Sequence, residues 1–137
     1  MKTLDMRFIR YLNLFEKISN VRTKDCFFYN NVVVFAVPYH LVSKAIGEEG
    51  KNVRALSNII GKKVKVVSAP AGLEKAEKFI SDIVSPVRFK GIEINSSEII
   101  INAGRQSKAA LIGRNKTRLE EMQHIVKEYF DRNVRIV

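Results

Sequence analysis

Apolar and polar residues along the chain alternate in patterns that predict helices and strands. From Leu4 to Ile18 the large apolar residues recur every three or four positions, which predicts an amphipathic helix over roughly residues 3 to 18. Cys26 to Tyr29 and Val32 to Val37 are rich in aromatic and β-branched residues, which are typical of strands. Two asparagines separate these runs, and asparagine tolerates the positive φ of a two-residue hairpin turn. The pattern therefore predicts a helix followed by a β-hairpin.

The next segment predicts two helices and a last strand. Pro38 cannot continue the sheet, so a short helix is expected near His40 to Ile46. Glycines interrupt it, and a longer helix is then predicted from Lys51 to about Ile60, with Gly61 as its C-terminal stop. Lys62 to Ser68 is the last predicted strand.

The chain also repeats itself at an offset of 66 positions. Ala45-Ile46-Gly47 falls on Leu111-Ile112-Gly113, and the apolar register continues through the following helix. The second copy then carries four additional residues, about one helical turn, after which Lys63 to Val67 falls on Asn133 to Val137. The repeat indicates two copies of one small module, with a boundary that we place between residues 69 and 70.

The second copy is expected to have the same elements as the first. Its first helix ends at Pro86, and Val87 to Ile94 pairs with Ile99 to Asn102 in a hairpin. A short helix to Ile112 and a helix from Thr117 to about Phe130 precede the terminal strand. The predicted fold class is α+β, an α/β sandwich in which each module has the order α-β-β-α-α-β and a three-stranded mixed sheet covered by helices.

Charge narrows the choice of partner. The 137 residues include 24 Lys and Arg against 14 Asp and Glu, a net charge of +10 that attracts polyanions. The longest apolar run, Val32 to Val37, is too short to span a bilayer, and the first residues have no signal-peptide pattern, so we expect a cytoplasmic protein without a membrane partner. The single cysteine, Cys26, excludes an internal disulfide and is expected in a buried strand.

Each module carries a glycine loop between two helices. In the first copy this is Gly47-Glu48-Glu49-Gly50, and in the second it is Gly113-Arg114-Asn115-Lys116. Glycines let the backbone approach a ligand closely, and the first N–H groups of the next helix carry partial positive charge, an arrangement that suits a phosphodiester.

These loops resemble the Gly-x-x-Gly loop of the K-homology (KH) domain, which clamps about four nucleotides of single-stranded nucleic acid. The helix-first order resembles the type II, prokaryotic form of that domain. Two such modules joined by a short linker resemble the archaeal NusA-like transcription termination or antitermination factors. The resemblance implies binding of single-stranded RNA during transcription elongation, in association with RNA polymerase. We expect a monomer that needs no cofactor.

Both loops depart from the KH pattern. Glu48 and Glu49 occupy positions where KH proteins commonly carry Lys or Arg, and Lys116 occupies the position of the last glycine. Asn115 adopts a left-handed conformation readily and would partly replace that glycine. We therefore expect affinity to arise from both modules acting along one strand. The expected RNA-binding residues are Lys44, Ile46, Gly47, Glu48, Glu49, Gly50, Lys51, Arg54, Lys63, Lys65, Arg105, Lys108, Ile112, Gly113, Arg114, Asn115, Lys116, Arg118 and Arg135.

Other readings of the same residues remain open. The altered loops are also compatible with a protein-interaction module that no longer holds nucleic acid. A third reading is ribosome-associated or RNA-processing use of the same modules, which predicts the same RNA binding. His40 and His124 have no Ser, Cys or carboxylate pattern around them, and metal binding would need clustered Cys and His, so no enzymatic activity is expected.

Overall fold

The computed structural model describes residues 6–137, so the first predicted helical residues, 3–5, lie outside the described residues. Within this range the order of elements is helix, strand, strand, helix, helix, strand, and it occurs twice. The helices are α1 Met6–Ser19, α2 Val42–Ile46, α3 Lys51–Ile60, α4 Ala76–Val84, α5 Arg105–Ile112 and α6 Thr117–Phe130. The strands are β1 Asp25–Tyr29, β2 Val32–Val37, β3 Lys63–Ser68, β4 Gly91–Ile94, β5 Glu98–Asn102 and β6 Asn133–Ile136. The predicted α+β class is confirmed.

The chain divides into two compact units between Ala69 and Pro70. We call the part up to Ala69 unit 1 and the part from Pro70 unit 2. Each unit has its own three-stranded mixed sheet, β1-β2-β3 in unit 1 and β4-β5-β6 in unit 2. In each sheet the first two strands are antiparallel and the last two are parallel. The two sheets therefore share one topology, as the sequence repeat predicts.

The hairpin of unit 1 turns at two asparagines. Asn30 and Asn31 have φ angles of 52° and 62°, and positive φ at both central residues is the requirement of the tight turns that match strand twist. In unit 2 the side chain of Asn95 supports the turn, since its Oδ1 accepts hydrogen bonds from the amides of Ser97 at 2.9 Å and Glu98 at 2.8 Å. Both predicted hairpins are present.

The core of unit 1 lies between α1, α3 and the sheet. The rings of Phe15 and Phe35 stack with centroids 4.3 Å apart, and both are fully buried. Leu56 of α3 is also fully buried, and Cys26 is buried in β1 as the sequence predicts. Burial of a Phe or Leu side chain contributes about 1.5–3 kcal/mol each. These contacts fix α3, and with it the loop at its start, against the sheet.

The two long helices end in the way that the sequence predicts. Gly61 follows α3 with φ of 79°, a left-handed residue that stops the helix. α6 has 14 residues against 10 in α3, which is the predicted extra turn.

Two predicted elements differ from the structure. The strand predicted from Val87 to Ile94 contains only Gly91–Ile94, so the prediction is wrong for residues 87–90. The amide of Val87 donates to the carbonyl of Val84 at 3.0 Å, which closes a turn over Ser85 and Pro86, and the chain next bonds to β5 at Lys90, whose amide donates to the carbonyl of Asn102 at 2.7 Å. The short helix predicted near His40 begins as a 3₁₀ turn, Tyr39–Leu41, before α2.

Among residues 6–137, no helix combines the length and the apolar composition that a membrane crossing requires.

Candidate nucleic-acid interface

Each unit presents a four-residue loop between its short and its long helix. Loop 1, from Gly47 to Gly50, joins α2 to α3, and loop 2, from Gly113 to Lys116, joins α5 to α6. In both loops the four residues form a tight turn whose third residue has non-helical backbone angles. The long helix begins at the next residue, and its first N–H donates to the second loop residue, from Lys51 to the carbonyl of Glu48 and from Thr117 to the carbonyl of Arg114.

The two loops have the same backbone conformation although their sequences differ. The first residues, Gly47 and Gly113, have φ and ψ of 82° and 163° and of 75° and 171°. The third residues, Glu49 and Asn115, are both left-handed, with φ of 54° and 56°. The fourth residue is left-handed as well, with φ of 74° in loop 1 and 60° at Lys116 in loop 2. The missing glycine of loop 2 therefore does not change the path of the chain.

Backbone hydrogen bonds also repeat between the loops. The amide of Gly47 donates to Ser43 at 3.0 Å, and the amide of Gly113 donates to Ala109 at 2.9 Å. The amide of the fourth residue donates to the carbonyl of the first, at 3.0 Å in loop 1 and 3.2 Å in loop 2. Each donor and acceptor pair is displaced by 66 positions from its counterpart.

A side chain in each long helix forms a hydrogen bond across the loop to the preceding short helix, and we call it the clamping side chain. Nδ2 of Asn52 donates to the carbonyl of Lys44 at 3.1 Å, and a guanidinium nitrogen of Arg118 donates to the carbonyl of Ala110 at 2.9 Å. Asn52 and Arg118 are equivalent in the repeat, and so are the two carbonyls. Sequence reasoning missed Asn52, and it assigned Arg118 only to phosphate. A polar residue at the second position of both long helices was the available signal.

The first glycine of each loop is needed for steric reasons. A Cβ at Gly47 would lie 2.9 Å from Cγ and Nδ2 of Asn52 and 3.0 Å from its backbone nitrogen. A Cβ at Gly113 would lie 2.9 Å from Cγ of Arg118. The clamping side chain therefore occupies the space that any larger residue at the first loop position would require.

Charged side chains around loop 1 have both signs. Glu48 and Glu49 of the loop are exposed, and so are the neighbouring Lys44 and Lys51. Arg54 is exposed on α3 and donates a hydrogen bond to the backbone carbonyl of Glu49, so its guanidinium lies against the loop. Loop 1 therefore presents two carboxylates that are flanked by basic side chains.

Loop 2 is basic along its length. Arg114, Asn115 and Lys116 are exposed, and the hydroxyl of Thr117 donates to the carbonyl of Arg114 at 2.7 Å. Two further predicted residues, Arg105 and Lys108, are exposed on α5. The structure therefore places an uninterrupted run of positive and polar side chains on loop 2.

The predicted strand residues lie on the edge strands beside the short helices. β3 contacts α2, and β6 contacts α5. Lys63 is exposed and Lys65 is half-buried on β3. Arg135 on β6 forms an ion pair with Glu98, with Nε 3.2 Å from the carboxylate, so its charge is partly neutralised within the protein.

Ile46 and Ile112 are half-buried at the ends of the short helices, each directly before the first glycine. The residues before them, Ala45 and Leu111, are the buried ones. The isoleucines thus border the loops and face solvent in part.

The residues considered for catalysis are not assembled into a site. His40 and His124 are exposed. Within residues 6–137, His, Cys, Asp and Glu side chains do not gather in groups of three that would hold a metal ion.

Comparison with known proteins finds archaeal relatives that are named for transcription termination. No family model matches it. Three archaeal relatives carry the name probable transcription termination protein NusA. The relative from Methanocaldococcus jannaschii is 28% identical over 125 residues, 88% of this chain and 67% of the relative. The one from Halococcus morrhuae is 24% identical over 132 residues, 94% and 93%. The one from Halobacterium salinarum is 25% identical over 122 residues, 86% and 85%. The chain is NusA-like in sequence, as the resemblance predicts.

A solved structure has the same fold. The crystal structure of APE1850 matches with a TM-score of 0.69 at 22% sequence identity, over 98% of this chain and all of that one. At this identity the match concerns the fold, which extends over both units.

Proposed function

We propose that the chain is an RNA-binding transcription factor that holds single-stranded RNA with two type II KH modules, residues 1–69 and 70–137, and takes part in transcription termination or antitermination. It would act as a monomer in the cytoplasm, on nascent RNA and beside RNA polymerase. The relatives named probable transcription termination protein NusA support the assignment to transcription. The observation that carries the RNA-binding part is the shared left-handed backbone of loops 1 and 2, each opening a long helix.

The chemistry expected at each loop follows from that geometry. The backbone has no Cβ at the first position, and the opening amides of α3 and α6 carry partial positive charge, which favours a phosphate group. Bases of the same strand would then extend along the short helix toward the edge strand, β3 or β6. The half-buried Ile46 and Ile112 offer apolar surface for them there.

The two loops would contribute unequally. Loop 2 offers Arg114 and Lys116, whereas loop 1 offers Glu48 and Glu49, which repel phosphate. Binding of one strand by both modules raises the effective concentration of the strand at the weaker loop, so the pair binds more tightly than either loop alone.

A titration tests the proposal. A fluorescent single-stranded RNA is titrated at several salt concentrations, and its affinity should fall as salt rises, with a slope of about −0.7 for each phosphate contact. Replacement of Glu48 and Glu49 by Lys should tighten binding and steepen the slope, and replacement of Arg114 and Lys116 by Glu should weaken binding and flatten the slope.

A matched control has the same charge change away from the loops. Lys75 and Lys127 are exposed, and their replacement by Glu changes the net charge as the loop 2 variant does. If the control weakens binding as much as the loop 2 variant, or if the wild-type chain binds no RNA, the proposal is wrong.

The exposed carboxylates of loop 1 favour a second candidate, a protein-interaction module in which Glu48 and Glu49 receive a basic segment of a partner. In that case Lys at both positions would abolish binding of the partner and leave the RNA titration unchanged. Co-purification with ribosomal particles instead of RNA polymerase would indicate the ribosome-associated use of the same modules.

A further inference from the structure

A second basic surface lies at the opposite end of α3 from loop 1. The guanidinium carbon of Arg7 is 5.1 Å from the centre of the Phe28 ring, and Nζ of Lys62 is 6.0 Å from the same centre. We call Arg7, Phe28, Asn31 and Lys62 the hairpin-end patch. Lys62 follows the C-terminal end of α3, and the ten residues of that helix span about 15 Å, so the patch is well separated from loop 1.

The aromatic ring at the centre of the patch is held in place by the core. Phe28 lies 4.8 Å from the ring of Phe8 and 6.3 Å from that of Tyr11, and Tyr11 is buried. A cation above such a ring is attracted by the negative charge on the face of the ring. Two cations are therefore drawn to one fixed point of the surface.

Lys62 is oriented by a neutral group. Its Nζ donates to Oδ1 of Asn31 at 2.8 Å, and Asn31 is itself fixed in the hairpin turn with φ of 62°. Because the acceptor is an amide oxygen, this hydrogen bond leaves the charge of the lysine uncancelled. An ammonium group has three N–H donors, so donors remain for an anion.

The corresponding corner of unit 2 is built differently. Ile94 occupies the position of Phe28, and Arg132 occupies that of Lys62 once the four additional residues are counted. Arg132 donates through Nε to the carbonyl of Asn95 at 2.7 Å and through a second nitrogen to the carbonyl of Phe130 at 2.8 Å. In unit 2 the cation is used to hold the turn, and the patch is a property of unit 1.

We propose that the hairpin-end patch binds the phosphodiester backbone of RNA beyond the segment held at loop 1. This inference rests on the proposed function. It also accounts for the charge of unit 1, where 12 basic and 5 acidic residues give +7 although the loop itself carries Glu48 and Glu49, whereas unit 2 has 12 and 9, giving +3. In unit 1 the hairpin-end patch would therefore make phosphate contacts that the acidic loop does not make.

A charge-matched pair of variants tests the patch. One variant replaces Arg7 and Lys62 by Gln, and the control replaces Lys17 and Lys24 by Gln, which removes the same charge near the other end of α1 and β1. Each protein is titrated with a poly(U) oligonucleotide of about four nucleotides, which occupies a single loop, and with one of about 12, which extends beyond it.

We expect the patch variant to bind the longer oligonucleotide roughly tenfold or more weakly at about 0.1 M salt and to lose about 1.4 from the salt slope, the value for two phosphate contacts on a single strand. The short oligonucleotide should bind both variants equally. The single replacements Arg7→Gln and Lys62→Gln should each give about half of the slope change, which keeps the test decisive if the double variant unfolds.

Equal effects of the two double variants on the longer oligonucleotide would overturn the patch and leave the proposed function standing. Each protein is also titrated with poly-glutamate, which stands for an acidic protein segment. If the patch variant loses poly-glutamate binding and still binds RNA as the wild type does, the patch binds an acidic protein segment and the inference is wrong. A wild-type chain that binds neither oligonucleotide would refute the proposed function itself.

Discussion

Gly50 and Lys116 hold the same left-handed backbone conformation, with φ of 74° and 60°, although only one of them is a glycine. A non-glycine residue in this conformation costs roughly 1–2 kcal/mol. Loop 2 carries this cost at Lys116 in addition to a left-handed Asn115. The lysine occupies the strained position, where its charge is exposed beside the start of α6.

Replacement of Lys116 by Gly should therefore separate stability from binding. We expect the free energy of unfolding to rise by about 0.5–1 kcal/mol, since the released strain exceeds the added entropy of the unfolded chain. RNA affinity should fall, with the salt slope flatter by about 0.7. Urea denaturation and RNA titration measure the two effects. Lys116→Gln is the control, because it should give the same change in slope without the gain in stability.

Alanine at three glycines should give a graded loss of stability. Gly91→Ala should change the free energy of unfolding by less than about 0.5 kcal/mol, because φ is unstrained there and nothing lies within 4 Å of the new Cβ. Gly61→Ala should cost about 1 kcal/mol, since φ is +79° but the space is open. Gly47→Ala should cost the most, because the Cβ also meets Asn52 at 2.9 Å. Urea midpoints measure the series, and equal losses at Gly61 and Gly47 would show that loop 1 is not packed against Asn52.

Asn52 should affect RNA binding without contributing charge. Asn52→Ala removes the hydrogen bond to Lys44 and should lower the free energy of unfolding by about 1 kcal/mol. A looser loop 1 should weaken RNA binding while the salt slope stays unchanged, because no phosphate contact is lost. Titrations at three salt concentrations check this. A flatter slope would mean that the side chain orders the cations around the loop as well.

Arg135 should gain in importance when its partner is removed. Glu98 holds its guanidinium at 3.2 Å, so Glu98→Gln frees a positive charge on the edge strand β6. We expect tighter RNA binding and a salt slope steeper by up to about 0.7. Adding Arg135→Gln to this variant should cancel the gain. Because the double variant has the net charge of the wild type, a gain that persists in it would come neither from Arg135 nor from net charge.

Much of the fold could be predicted because local chemistry and the repeat point the same way. The turn at Asn30 and Asn31 and the stop at Gly61 follow from the conformations that these residue types adopt, and both are present. The sequence repeat at an offset of 66 positions predicts the same elements in unit 2. The strand predicted over residues 87–90 is wrong because a turn over Ser85 and Pro86 precedes an irregular segment there, and the β-branched and aromatic residues of this segment do not by themselves show where backbone pairing begins.

The candidate site was predictable in its position and less so in its construction. A glycine loop before a helix is visible in the sequence, and Lys116 at the fourth position suggested an altered loop 2. Loop 2 nevertheless has the backbone conformation of loop 1. Lys116 adopts the left-handed conformation, and Arg118 of α6 donates a hydrogen bond across the loop to the carbonyl of Ala110 in α5. Neither a side-chain hydrogen bond across eight residues nor a strained φ leaves a periodic pattern. The pairing of Arg135 with Glu98 was missed for the same reason, since it joins residues 37 positions apart.

The most direct measurement of the central claim is a titration of the ¹⁵N-labelled chain with single-stranded RNA, followed by the amide resonances. The amides of residues 47–51 and 113–117 should shift most, because they would lie against the sugar-phosphate backbone. Shifts confined to other surfaces, with both loops unaffected at saturating RNA, would contradict binding through the two loops.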